Sequence, residues 1–197
     1  MSQSADFSRR RPQRADARRN YDALIAAARD TFAELGTLAP LEEIARRAEV
    51  GIATLYRNFP TREELIESVY LEEVEAVVQA ALTVEHLEPW PALLAWFDRV
   101  MVYIGTKRAL IDALNRDSPA IQSCRTSLFT AGQPLLARAQ AAGVVRNDVG
   151  IDDVLRLVTS IAGAGFPSPE QRSKVLSIAL DGLLLQRSEQ SSSSMDK

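Results

Sequence analysis

An all-helical chain with a helix-turn-helix near its start is what this sequence predicts, and three observations carry the prediction. Apolar residues recur three and four apart along most of the 197 residues, without the two-residue alternation of a half-buried strand. Residues 41–62, LEEIARRAEVGIATLYRNFPTR, read as two short helices about a tight turn. Breakers separate the periodic segments, among them Gly36, Pro60, Gly143 and the run Gly165-Phe166-Pro167-Ser168-Pro169.

Residues 1–14 read as a disordered basic arm. A first helix follows over about residues 16–35, ended by Gly36, with Leu24 or Ile25, Ala28, Phe32 and Leu35 inward. The second runs from about 41 to 48. Leu41, Ile44, Ala45 and Ala48 form its inner side, and Glu42, Glu43, Arg46 and Arg47 its outer side. Val50 and Gly51 make the turn, where Gly51 offers a backbone conformation closed to other residues. The third helix spans about 52–59, and Pro60 stops it.

At about 100° per residue, Leu55 and Phe59 of the third helix face inward. Arg57 lies opposite, flanked by Ala53 and Thr54, with Tyr56 and Asn58 on the shoulders and Ile52 nearer the core side. A small residue at 53 permits close approach to base edges. Arg57 can give two parallel hydrogen bonds to a guanine or one to a phosphate. The hydroxyl of Tyr56 and the amide of Asn58 suit phosphate contacts that fix register.

Thr61 and Glu64 are spaced as a capping box for a fourth helix, which carries Leu65, Ile66, Val69, Tyr70, Val74 and Val77 to about residue 82. A connection over 84–91 has prolines on both sides of Trp90. Five further helices are expected: 91–106, a short one at 107–114, then 119–142 with a kink or break at Pro134, 151–164 and 170–185. Asp148 and Asp152 offer caps to the helix at 151, and residues 188–197 read as a disordered tail. The expected division is thus an arm (1–14), a three-helix helix-turn-helix domain (15–60), a helical bundle (61–187) and the tail.

Bulky groups cluster in the bundle at Trp96, Phe97, Met101, Tyr103, Ile104, Leu128 and Phe129. Core packing is the usual account of such a set, although helix bundles also host pockets. The last two helices are apolar on more than one face, which calls for two packing partners. Val154, Val158, Ile161, Ile178 and Leu185 are the candidates for an interface with a second copy, unless both faces are buried within one chain.

The net charge of −3 by itself argues against a nucleic-acid partner, but the charge is unevenly distributed. Residues 1–62 hold eleven arginines and eight acids, a surplus of three that leaves −6 on the remainder. Arg9, Arg10, Arg11, Arg14, Arg18 and Arg19 are the densest block, suited to phosphate or minor-groove contact. For Arg9 to Arg11 a solvated tail is the alternative to that contact.

No run of about 18 apolar residues indicates a membrane span, and the polar, arginine-rich start is unlike a secretory signal. With one cysteine, Cys124, no internal disulfide forms, and a cytoplasmic setting is expected. Cys124 reads as a buried small hydrophobe, His86 as a solvated linker residue, and Glu72, Glu73 and Glu75 as an exposed helix face. No metal-ligand spacing, phosphate loop or catalytic constellation is present, so neither an enzyme nor a cofactor is implied.

The run IARRAEVGIATLYRNFPTR, preceded by YDALIAAARDTFAELG at 21–36, resembles the N-terminal domain of the TetR family of transcriptional regulators. The match comprises Phe32, Gly36, Ile44, Ala45, Thr54, Leu55, Tyr56, Asn58, Phe59, Thr61, Arg62 and Glu63 in order, within residues 15–70. The resemblance implies that Thr54, Tyr56 and Asn58 meet the DNA backbone or groove edge, that Arg62 meets a phosphate, and that Ile52, Ala53 and Arg57 read bases. Asn58 replaces a common histidine, Gly51 a frequent serine cap, and Ala39-Pro40 a hydroxyl pair. By the same resemblance, the chain is a homodimeric repressor on palindromic double-stranded DNA. A small effector in the bundle releases it. The alternatives are an activator or DNA-organising binder, or a helical small-molecule-binding protein that has lost DNA binding.

Overall fold

A computed structural model describes residues 11–115 and 117–185. The proposed arm residues 1–10, with Arg9 and Arg10, and the tail at 188–197 lie outside the described residues. Among the described residues eight helices form: α1 (Ala15–Leu35), α2 (Leu41–Arg47), α3 (Ile52–Asn58), α4 (Arg62–Thr83), α5 (Pro89–Leu110), α6 (Pro119–Ala141), α7 (Ile151–Gly163) and α8 (Pro169–Asp181). Among the described residues no strand forms. The one β-type contact is an isolated antiparallel bridge between Val145 and Leu184.

Local chemistry sets the helix ends. Gly36 stops α1 at φ +80°, and its N–H bonds the Phe32 carbonyl. Thr61 caps α4 by accepting the Glu64 N–H at 3.2 Å, the half of the expected box that serves the helix. Ser168 does the same for α8 through the Gln171 N–H. Prolines sit in the first turns of α5, α6 and α8, where their missing N–H costs nothing.

The first three helices form a small unit on Tyr21, Leu24, Ala28, Phe32, Ile44, Leu55 and Phe59, all buried. Tyr21 of α1 meets Phe59 with ring centroids 5.2 Å apart. Helix α4 leaves this unit and packs against both α5 and α6, so one rod of 22 residues spans head and bundle.

Several expectations are corrected. Leu35 is 56% exposed, because α1 turns it past the edge of the core. The short helix at 107–114 does not exist separately: α5 runs on through Leu110 and ends in a turn. It also starts at Pro89, since prolines in a first turn continue a helix instead of delaying it. Helix α6 passes through Pro134 without a break. At α7 the cap position is Gly150, whose N–H bonds the Asp153 carboxylate at 2.8 Å, while Asp148 and Asp152 hold arginines instead. Helix α8 ends at Asp181, after which the chain turns into the Val145 bridge.

Candidate nucleic-acid interface and bundle cavity

The turn before α3 departs from the simplest reading of its glycine. Gly51 is extended (φ −71°, ψ 147°), and the left-handed residue is Glu49 at φ +56°. That twist lets the Val50 N–H reach the Ala45 carbonyl at 3.0 Å and swings α3 across α2. A side chain at position 51 would meet no atom within 4 Å. The bare site is therefore open space, and no close approach requires it.

Helix α3 is anchored through Leu55 and the following Phe59, which are 0% and 2% exposed. Ala53, Tyr56 and Arg57 are exposed, and Ile52 stands at 36%, further out than its position on the helical wheel suggests. Arg57 Nη2 donates to Thr54 Oγ1 at 2.9 Å, and Asn58 Nδ2 to the Thr54 carbonyl at 2.8 Å. These bonds hold the arginine and the amide against the helix. Each keeps further N–H groups for a partner.

Arg62 occupies a different place from the other candidates. Its Nη1 donates to the carbonyls of Thr37 (2.9 Å) and Ala39 (2.6 Å), tying the start of α4 to the loop before α2. The position expected to meet a phosphate thus also braces the head. Arg14 and Arg18 are exposed at the start of α1, with Arg14 in its cap position. Arg11, assigned to the disordered arm, instead folds back to bond Asp22 at 2.7 and 2.9 Å.

The second feature is a cavity of about 590 Å³ among α4, α5, α6 and α7, with Tyr70, Ile104, Leu128, Phe129, Leu155 and Arg156 in its lining. Of the seven bulky residues grouped from sequence, Tyr103, Ile104, Leu128 and Phe129 line it and Trp96, Phe97 and Met101 do not. Trp96 and Phe97 are core side chains, 0% and 1% exposed. The Trp96 indole donates to the Val77 carbonyl at 3.1 Å and lies directly over Gly132 of α6. Tyr70, read from sequence only as a packing position of α4, also lines the cavity, and its buried hydroxyl shares a 2.8 Å hydrogen bond with that of Tyr103. Burial pushes Tyr70 up to about 12 and Tyr103 higher still. Cys124 is buried close by, its thiol raised to about 12 by desolvation.

The acidic run on α4 is also corrected. Glu73 is 3% exposed and accepts Arg29 Nη1 at 2.7 Å and Arg99 Nη2 at 2.8 Å. Its position, four residues from Val69 and Val77, places it on the core stripe, and that spacing was the available signal.

For the candidate interface residues on α7, Val154 and Val158 are 1% and 0% exposed within one chain, where α7 packs on α5. They cannot be surface contacts. Ile161 is half-buried, and Ile178 and Leu185 are 63% and 45% exposed. Helix α8 buries only Leu180.

These features define a helix-turn-helix protein whose second motif helix projects from a helical bundle. Residues 24–69 match the model for bacterial regulatory proteins of the tetR family, and residues 88–185 match that for the C-terminal domain of SbtR-like transcriptional regulators. The TetR transcriptional regulator SCO0520 from Streptomyces coelicolor is 37% identical over 84% of this chain and 98% of its own, with a TM-score of 0.76. A TetR transcription regulatory protein from Mycobacterium vanbaalenii is 33% identical over 88% and 100%, with a TM-score of 0.73. A gamma-butyrolactone receptor (ArpA-like protein) shares the fold at 21% identity over 86% and 91%, with a TM-score of 0.61. The comparison with curated proteins found no match. The chain belongs to the TetR family of transcriptional regulators, and it is a DNA-binding regulator. Among the described residues no helix is long and apolar enough to cross a membrane, and no cluster of His, Cys, Asp or Glu is placed to hold a metal ion.

Proposed function

We propose that the protein is a homodimeric repressor that lays α3 in the major groove of a palindromic operator and is released by a small molecule in the α4–α7 cavity. One observation carries the reading: Ala53, Tyr56 and Arg57 stand exposed on a helix whose other side is pinned by Leu55 and Phe59. In this arrangement Ile52, Ala53 and Arg57 face base edges, while Gly51, Thr54, Tyr56, Asn58 and Arg62 meet the backbone. Arg14 and Arg18 extend the contact along the phosphates.

Dimerisation uses the outward face of α8 with Ile161 of α7. Ile178 and Leu185 then bury surface that one chain leaves exposed. Tyr70, on α4, connects the cavity to the head. A ligand that prefers a shifted α4 changes the spacing of the two recognition helices by its difference in affinity for the two states. DNase footprinting along the genome tests the reading: one or two promoter sites with dyad symmetry are expected. Many dispersed sites of unrelated sequence would point to a DNA-organising protein instead.

A further inference from the structure

The cavity changes chemistry along its depth. Its most buried lining carries the Tyr70–Tyr103 hydroxyl pair, 3% and 2% exposed, and its wall is apolar through Val100, Ile104, Leu128 and Leu155. At its open rim stand Arg125, Asp152 and Arg156, with side chains 66%, 42% and 64% exposed. The single carboxylate of Asp152 receives both guanidinium groups, Arg125 Nη2 on Oδ1 at 3.0 Å and Arg156 Nε on Oδ2 at 2.8 Å. Two guanidinium groups share one carboxylate, so each keeps N–H groups that Asp152 does not use. Asp153, the other acid on this turn, bonds the Gly150 N–H and acts on Arg156 only through its field.

The rim arginines are also oriented. The Arg125 guanidinium carbon lies 5.1 Å from the centroid of the Phe129 ring, a cation–π contact that favours this placement of the group at the rim. Asp152 uses one N–H of each arginine, and a planar carboxylate arriving from the cavity finds two guanidinium edges already positioned. Lys107, whose ammonium sits 5.9 Å from the Tyr103 ring centre, also lines the cavity.

We infer that the cavity selects an amphipathic organic monoanion, with its apolar body against Ile104, Leu128 and Leu155 and its carboxylate at the rim on Arg125 and Arg156. The volume of about 590 Å³ suits a small molecule of this kind. The inference rests on reading this cavity as the effector site and adds the chemical class of the effector. A ligand without an anionic group would leave the free guanidinium N–H groups of the rim unused, and a cationic one would face two arginines.

Calorimetric titration of the full chain with octanoate, 1-octanol and octylamine at neutral pH tests it. Octanoate is expected to bind at least about tenfold more tightly than 1-octanol, with octylamine weakest. In the double variant Arg125→Gln/Arg156→Gln the advantage of octanoate over 1-octanol should shrink to within about threefold. Both arginines are exposed, and an unchanged melting temperature establishes that the variant is folded. Equal binding of octanoate and 1-octanol, an advantage that survives the double substitution, or no octanoate binding up to about 10 mM would each overturn the inference. Calorimetry involves no DNA, so the two readings fail separately. Selective footprints with no anion preference leave the regulator standing, and anion preference without footprints leaves only the cavity chemistry.

Discussion

Arg29 of α1 donates to the buried carboxylate of Glu73 on α4 at 2.7 Å, an ion pair that joins the helix-turn-helix unit to the helix entering the bundle. Arg99 of α5 takes the other carboxylate oxygen at 2.8 Å, so three helices meet on one acid. Glu73 is 4% exposed at its side chain, against 37% and 22% for the two arginines. Removing the acid therefore takes the carboxylate from two partly solvated cations, of which Arg29 keeps Asp30 at 3.7 Å. Glu73→Ala is expected to destabilise the fold by about 2–3 kcal/mol, below the range for fully buried pairs. Arg29→Ala should cost less, since Glu73 keeps Arg99. Urea denaturation of both variants checks the order, and a smaller loss for Glu73→Ala would contradict it.

Gly132 is a packing requirement. A Cβ there would lie 2.7 Å from Trp96 Cζ3 and 2.8 Å from Ile151 Cδ1. Gly132→Ala should cost about 2–3 kcal/mol through overpacking. Gly105 on α5 has nothing within 4 Å, and Gly105→Ala should stabilise by about 0.5–1 kcal/mol through helix propensity. Thermal melts that moved both variants in the same direction would refute this contrast.

Much of the fold was legible because helix spacing and breakers are local. Gly36, Thr61, Pro60, Leu55 and Phe59 each act within a turn or two of themselves. The candidate site was legible where exposure follows from one helix, as for Ala53, Tyr56 and Arg57. What sequence hid was pairwise. Nothing local distinguishes Trp96 as the filler over Gly132 from a cavity wall, or places Val154 and Val158 against α5 within the same chain. Glu49 shows a further limit: the left-handed turn residue is Glu49, whose twist goes with the Ala45–Val50 hydrogen bond, and not the glycine two residues on.

Ile178 stands 63% exposed on a helix that buries only Leu180, and the proposed dimer covers it. Ile178→Glu should leave single-chain stability within about 0.5 kcal/mol and shift the sedimenting species to monomer. An unchanged mass at micromolar concentration would place the interface elsewhere.

Burial holds the Cys124 thiol up to about 12 and the Tyr21 and Tyr70 hydroxyls up to about 12, against ordinary values of 9 and 10. The native state keeps these protons where the unfolded chain releases them. Their contribution to stability is complete below about pH 9 and falls as pH rises toward 12. Ellman's reagent should find Cys124 unreactive in the native protein at mildly alkaline pH and reactive after urea unfolding. Rapid native labelling would show that the thiol is open to solvent.

The most direct measurement is duplex affinity of the wild type and Arg57→Ala across a salt series, using the chain's own upstream DNA and a scrambled duplex. Groove reading by α3 predicts steeply salt-dependent wild-type binding that favours the upstream duplex. Arg57→Ala should lose ~1–3 kcal/mol of affinity for that duplex and most of the preference. Unaltered affinity and preference in the variant, or no salt-sensitive binding to any duplex, would contradict it.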